Sequence, residues 1–345
     1  MRTLLLPLIT FCCCFISCKK TYLPRNTIKV HIQTFHKPGT SIRALTILSD
    51  STMIYAGSQG DITTTTDLGK TWSSLQIKTD SIVPHFRAIS STNNAFYALS
   101  IGNPALLYQS KGNGFNIVYK EVHEKVFYNS MAFFDDLNGI AMGDPTDTCL
   151  SLLITRNGGE SWAKINCEFL PNILPGEAAF AASNTNISIV GSHAWIVTGG
   201  TAARIFHSED KGLTWEVFQT PITQEISTTG IYTSAFFNEN QGIIMGGDYT
   251  RKSEIMPSKA LTYDGGKTWK IIPQAQPSFI SCVQYIPHTQ GMELLATSTQ
   301  GIYYSNDQGN TWKKISDKGF FSFRMIDKNT AWMAGNEQVA LLRIQ

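Results

Sequence analysis

Three arginines stand at matching places at the start of short apolar runs: Arg43 in IRALTI, Arg87 in FRAIS and Arg324 in SFRMI. A guanidinium recognises a carboxylate or phosphate through paired hydrogen bonds, so three brought together form an anion-binding group. Acids sit in three glycine-containing loops: Asp144 in GDPTDT, Glu177 in LPGEAAF and Asp248 in GGDYTRKSE. They can bind polar groups of the same ligand, or they can pair with the arginines and leave nothing free. His193, in GSHAW, can cap a strand or act in chemistry. The chain contains no GxSxG elbow, no HExxH, no paired CxxC and no P-loop, and Gly112-Asn113-Gly114 begins a dinucleotide-like pattern without its third glycine. No residue is therefore assigned a catalytic role, and no cofactor or metal site is expected. With 28 basic against 26 acidic side chains and a net charge of +2, the chain is too balanced for a dedicated nucleic-acid binder or a polybasic membrane-surface protein.

The elements that must position these residues announce themselves as a repeat. TTDLGKTW (65–72), TRNGGESW (155–162), SEDKGLTW (208–215), TYDGGKTW (262–269) and SNDQGNTW (305–312) share one pattern, and SKGNGFNI (110–117) is a degenerate sixth copy. Their third positions, 67, 112, 157, 210, 264 and 307, recur every 43 to 54 residues, a period that suits a four-stranded propeller blade. These octets resemble the Asp box of sialidases and related β-propellers. The carboxylates of Asp67, Asp210, Asp264 and Asp307, with Asn157 in the second copy, are placed to accept hydrogen bonds from their own turns. The glycine takes a positive φ, and Trp72, Trp162, Trp215, Trp269 and Trp312 pack between sheets. Five of the chain's seven tryptophans are used in this way, so the octets read as structure.

Seven apolar segments read as inner strands, beginning near Arg43, Arg87, Met131, Phe180, Ser234, Ser281 and Arg324. The last unit stops after a third strand at 341–344, and the alternating stretch Ile28-Lys29-Val30-His31-Ile32 supplies its fourth. The expected fold is all-β: a seven-bladed β-propeller over residues 27–345, its last blade closed by the N-terminal strand so that no long edge stays exposed. In a blade the octet joins the third strand to the fourth. All octets then lie on one face, while the arginines and acids meet at the channel mouth on the other.

The first residues read as a leader. Arg2 precedes an apolar run from Leu4 to Ile16, too short to span a membrane but suited to a signal peptide, here 1–17. The run ends in Phe15-Ile16-Ser17-Cys18, which resembles a bacterial lipobox with Phe15 in place of the usual leucine. Cys18 would be lipidated and residues 18–26 would form a tether. Lys19 and Lys20, with no aspartate beside the cysteine, resemble the sorting pattern of a lipoprotein sent on to the periplasmic or outer surface of the outer membrane. Cys149, Cys167 and Cys282 remain for the fold. Cys149 and Cys167 fall on the two strands of one expected hairpin in an oxidising compartment, near a cross-strand pair but one residue out of register. A disulfide and buried free thiols are both open.

FRAI and SFRMI, with GIAMGDP (139–145), GEAAFAASNTN (176–186), HAW (193–195) and GGDY (246–249), are similar to phrases of the photosystem II stability and assembly factor family, in a branch outside photosynthesis. That resemblance implies a propeller that assists membrane-protein assembly through an arginine-rich patch. The expected function is a lipid-anchored, non-catalytic, monomeric propeller that binds an envelope protein or a glycan. A sialidase-like hydrolase acting on an anionic glycan is the alternative, although Ile42-Arg43-Ala44 lacks the Arg-Ile-Pro form of sialidases. A redox enzyme, supported only by labels attached to that branch, comes third. A hydrolase needs two carboxylates about 5 to 10 Å apart around the substrate.

Overall fold

The structure is a computed structural model that describes residues 22–112 and 114–345. The expected leader and the lipidation site Cys18 lie outside these residues. Apart from a one-turn 3-10 helix at Cys167–Phe169, the regular elements described are β-strands. Apolar and small polar residues alternate along short runs, and turns of glycine, asparagine and aspartate separate them, so each run pairs with its sequence neighbour into antiparallel ladders. One unit shows the pattern: His85–Ser91, Phe96–Ile101, Ala105–Lys111 and Gly114–Glu121 follow one another across a four-stranded sheet.

Strand pairing gives six sheets among the described residues, not the seven separate blades expected from the inner-strand count. The cause is two long strands that do not break where the repeat predicts a boundary. Val30–Ile47 pairs with Thr330–Ile344 from Val30 opposite Ile344 to His36 opposite Gln338. It then bends, with Gly39 at φ 77°, and pairs with Met53–Gly57 from Ile42 onward. The final and first repeat units thereby share one six-stranded sheet. The N-terminal strand does pair with the C-terminal one, and Phe35, Trp72 and Trp332 pack across this seam with ring centroids 5.3 to 5.7 Å apart.

The five full octets form nearly identical turns, whereas the degenerate copy at 110–117 is a tight hairpin between Ala105–Lys111 and Gly114–Glu121. In the first, Asp67 Oδ1 accepts from the Thr71 N–H (2.9 Å) and the Thr65 hydroxyl (3.0 Å), and Oδ2 accepts from the Thr71 hydroxyl (2.6 Å). The Gly69 N–H donates to Thr65 Oγ1, and the Trp72 indole donates to the Gly69 carbonyl. The same carboxylate contacts recur at Asp210, Asp264 and Asp307, and Asn157 substitutes its amide. Gly69 holds φ 88° and approaches Phe35 and Trp332 so closely that a Cβ there would clash. Cys149 and Cys167 are joined in a disulfide with Cα atoms 5.4 Å apart. Neither lies on a strand: Cys149 precedes Ser151–Thr155, and Cys167 opens the 3-10 turn. Release from the ladder removes the one-residue register conflict.

Phe180–Ser183, expected as an inner strand, is irregular, and the inner strand of its sheet is Ile187–Val190. Ala181 to Asn186 are nevertheless buried. This segment runs through the centre of the ring and is held from all around it. Ser183 Oγ donates to Ser281 O, Asn184 Nδ2 donates to Ile89 O, Asn184 Oδ1 accepts from Met131 N, and Thr185 O accepts from Ser234 N. Buried backbone outside a ladder must find such partners, and here side chains and inner strands supply them.

Candidate site at the channel mouth

The three arginines of the sequence pattern converge on the central segment rather than on a single opening. Arg87 Nη1 donates to the Ala181 carbonyl (3.0 Å), Arg43 Nη1 to the Ala182 carbonyl (3.1 Å), and Arg324 Nη2 to the Ser183 (3.3 Å) and Asn184 (3.0 Å) carbonyls. They clamp successive peptide units of one strap. Their shared position at the start of inner strands puts them in this row. Arg43 and Arg87 line a cavity of about 460 Å³ together with Asp144. Arg324 lines a separate cavity of about 400 Å³ with Asn184, Thr185 and Gln284, so it does not join the other two at the mouth.

No carboxylate partners either mouth arginine in the described residues. Burial, and then the neighbouring Arg87 charge, push the Arg43 guanidinium below its usual range, and burial does the same to Arg87. An arginine stays protonated in a protein, so this unfavourable environment is a demand for negative charge. Arg43 Nε is buried without a hydrogen-bond partner, and the guanidinium lies 3.8 Å from the Phe321 ring centroid. Arg87 Nε donates to His85 Nε2 (3.0 Å). Burial first, and then both arginines, hold His85 down at about 4, so it is a neutral acceptor.

Two of the three acids are committed elsewhere. Glu177 is fully buried and takes both oxygens to Arg204, with further hydrogen bonds from the Thr198 hydroxyl (2.6 Å) and the Leu174 N–H (2.9 Å). Asp248 caps its own loop, accepting from Thr250 N–H and hydroxyl and from Arg251 Nε. Burial alone would raise its pKa, but the Thr250 and Arg251 hydrogen bonds bring it to about 2. Only Asp144 faces the cavity, accepting from Asn129 Nδ2 (2.7 Å) and Ala179 N (3.0 Å), with burial pushing its carboxyl up. The three acids do not form a shared pair around a substrate position.

The sequence reading missed the walls of this cavity. Phe127, Phe180, Tyr232, Tyr249, Phe279 and Phe321 surround the two arginines, with Lys252 beside them. Phe180 and Tyr232 stack in parallel at 3.9 Å, and Tyr249 is half exposed at the rim. A signal was present: Phe127, Phe279 and Phe321 each lie immediately or shortly before an inner strand, the side from which the mouth is built.

A ring of radially arranged antiparallel sheets around a filled channel defines a β-propeller. Its structure is similar to that of YCF48 bound to a D1 peptide, with TM-score 0.65, 13% identity, and 94% of this chain and 98% of that one covered. It is also similar to YCF48 from Cyanidioschyzon merolae (TM-score 0.63, 12% identity, 90% and 98% covered) and to U3-55K (TM-score 0.64, 11% identity, 90% and 98% covered). At these identities the likeness is one of fold. No protein-family profile and no curated protein sequence matches the chain.

Proposed function

We propose that this chain is a non-catalytic Asp-box propeller that binds a protein segment at its channel mouth, through an anionic group on Arg43 and Arg87 and apolar side chains against the aromatic walls. The observation that carries this reading is a pair of buried guanidiniums with no carboxylate partner in an open, aromatic-walled cavity. Rigid aromatic side chains beside arginine are the composition that dominates protein recognition sites. The likeness to a YCF48 structure that holds a peptide supports a protein partner over a glycan. The hydrolytic alternative has no carboxylate pair to work with, because Glu177 and Asp248 are held by Arg204 and Arg251.

The same reading makes the chain a lipid-anchored envelope protein that assists assembly, and the start of the described chain supports an orientation for it. Arg25 pairs with the buried Glu293, Tyr22 donates to Glu293 Oε1 (2.6 Å), and the Arg25 carbonyl accepts from Asn306 Nδ2 (3.0 Å) within the last octet. Tyr22 and Arg25 are thus held at the octet face, which supports a tether that leaves from that side. A lipid on Cys18, four residues before Tyr22, is at most about 14 Å away along an extended chain. The octet face then lies against the membrane and the mouth looks away from it.

The test is fluorescence titration of peptides that pair one acidic residue with apolar neighbours, against the same peptides with the acid amidated. Saturable binding of the acidic form, weakened at least tenfold in Arg43→Met/Arg87→Met, is expected. Equal binding of both forms, or binding unchanged in the double variant, overturns the reading.

A further inference from the structure

On the octet face, far from the arginine clamp in the sheet, lies a second group of chemistry-bearing residues. His193 opens the strand His193–Val197, and His207 lies on its partner Arg204–Ser208 with Trp195 directly opposite. Side chains two apart on a strand share a face, so His193 and Trp195 project to the same side of the sheet as His207, and Glu209 follows just past the end of that strand. The rings are stacked: Trp195 lies 4.9 Å from His207 at an interplanar angle of 4°, and His193 lies 5.3 Å from His207. Phe236 of the next sheet covers Trp195 at 3.8 Å. This packing holds the two imidazoles against one another.

We propose that His193, His207 and Glu209 form a binding site for a divalent transition-metal ion, of the kind that zinc occupies. A nitrogen of each imidazole and a carboxylate oxygen of Glu209 lie within 4.8 Å of one another. His193 Nδ1 and His207 Nε2 are 3.1 Å apart. Two nitrogens held at about 2.0–2.1 Å from one tetrahedral ion are about 3.3 Å apart, so the separation of these two nitrogens is close to that of neighbouring ligands on one ion. The exposed Glu209 side chain is free to close on the ion as the third ligand, which leaves a fourth position for water.

Two further observations fit. The other nitrogen of His193, Nε2, lies 3.9 Å from the carboxylate of Glu239, in the turn that joins Thr229–Phe236 to Gly242–Asp248 of the neighbouring sheet. Metal-bound histidines usually direct their second nitrogen to such a carboxylate, which fixes the tautomer that leaves the ligating lone pair free. Two carboxylates, Glu209 and Glu239, stand near the site against one lysine, Lys267, whose charge reaches His207. The donor set of two imidazoles and one carboxylate is that of borderline divalent ions rather than of calcium, which takes oxygen ligands.

The experiment uses the full chain purified without a polyhistidine tag and stripped with chelator. It is titrated with Zn²⁺ by calorimetry and with Co²⁺ by visible absorption, beside His193→Gln and Glu209→Gln. One saturable Zn²⁺ per chain is expected, with an intense tetrahedral Co²⁺ band. That band should vanish in His193→Gln, and Zn²⁺ affinity should fall at least tenfold in Glu209→Gln, an exposed position whose substitution leaves the fold intact. The proposal is overturned if the wild-type chain shows no saturable Zn²⁺ binding, or if either variant binds as the wild type does.

Discussion

The two faces of this propeller use the same residue types in opposite ways. On the octet face every aspartate of the repeat finds its partners within four residues, so each turn is complete by itself and one copy predicts the next. On the other face Asp248 is satisfied within its own loop, but the remaining charges close over long range or incompletely: Glu177 reaches Arg204, 27 residues on, while Arg43 and Arg87 find no acid and reach carbonyls 139 and 94 residues further along the chain, with His85 as the other partner of Arg87. Local closure makes a structural module that tolerates repetition. Long-range and incomplete closure makes a place where a ligand has something to add.

The comparison is sharpened most by one pair of substitutions at the mouth. Glu177 is fully buried and its partner Arg204 nearly so; Glu177→Ala leaves that guanidinium unpaired inside the protein and costs about 3–5 kcal/mol of unfolding free energy. Arg43→Met strands no acid and removes one hydrogen bond to the Ala182 carbonyl along with an uncompensated charge, so it changes stability by about 1 kcal/mol or less. Urea denaturation of the two variants checks the contrast. Equal costs would mean that Arg43 is as structural as Glu177.

Next in size is the disulfide. Cys149 and Cys167, 18 residues apart, close the base of the hairpin formed by Ser151–Thr155 and Ala163–Lys164, and a loop of this length corresponds to about 3 kcal/mol of lost unfolded-state entropy. The double variant Cys149→Ala/Cys167→Ala should fall by about that amount in urea, while an exposed control such as Lys70→Ala should be neutral.

These magnitudes track what the sequence revealed. The repeated octets, the pairing of the N-terminal and C-terminal strands and the proximity of Cys149 to Cys167 were legible because each is encoded by periodicity or by neighbours. The count of seven blades failed because hydrogen bonding continues through Val30–Ile47 and Thr330–Ile344, and no residue marks that continuity better than the bend at Gly39. Phe180–Ser183 had the apolar pattern of an inner strand. What makes it a strap is the set of donors facing it, Arg43, Arg87 and Arg324, which lie far away in sequence. The Asp248–Arg251 pair was within reach of a local reading, since three residues separate them; the Glu177–Arg204 pair was not. His193 and His207 meet only through strand register, which a sequence without a known third strand does not specify.

The smallest effect belongs to a single octet, and the protein contains its own control. Asn157 fills the aspartate position of the second copy, accepting from Ser161 N (3.1 Å) and donating to Ser161 Oγ (2.9 Å), so a neutral amide keeps the turn. Asp264→Asn should therefore cost under about 1 kcal/mol at pH 7, because the geometry survives and solvent screens the lost charge. Its signature lies in pH. At Asp67 the Thr71 hydroxyl and N–H lower the carboxyl pKa; at Asp264 burial opposes, but the Thr268 and Thr262 hydrogen bonds prevail and lower it too. A folded pKa below the unfolded one means stability that is fully present above about pH 4 and is lost as pH falls through the folded value. The wild-type urea midpoint should thus drop on acidification below pH 4, and Asp264→Asn should show a shallower drop while matching the wild type more closely at pH 3 than at pH 7. A gap that instead widens at pH 3 would mean that the carboxylate is not locally satisfied, and the contrast between the two faces would fail at the copy where it should be cleanest.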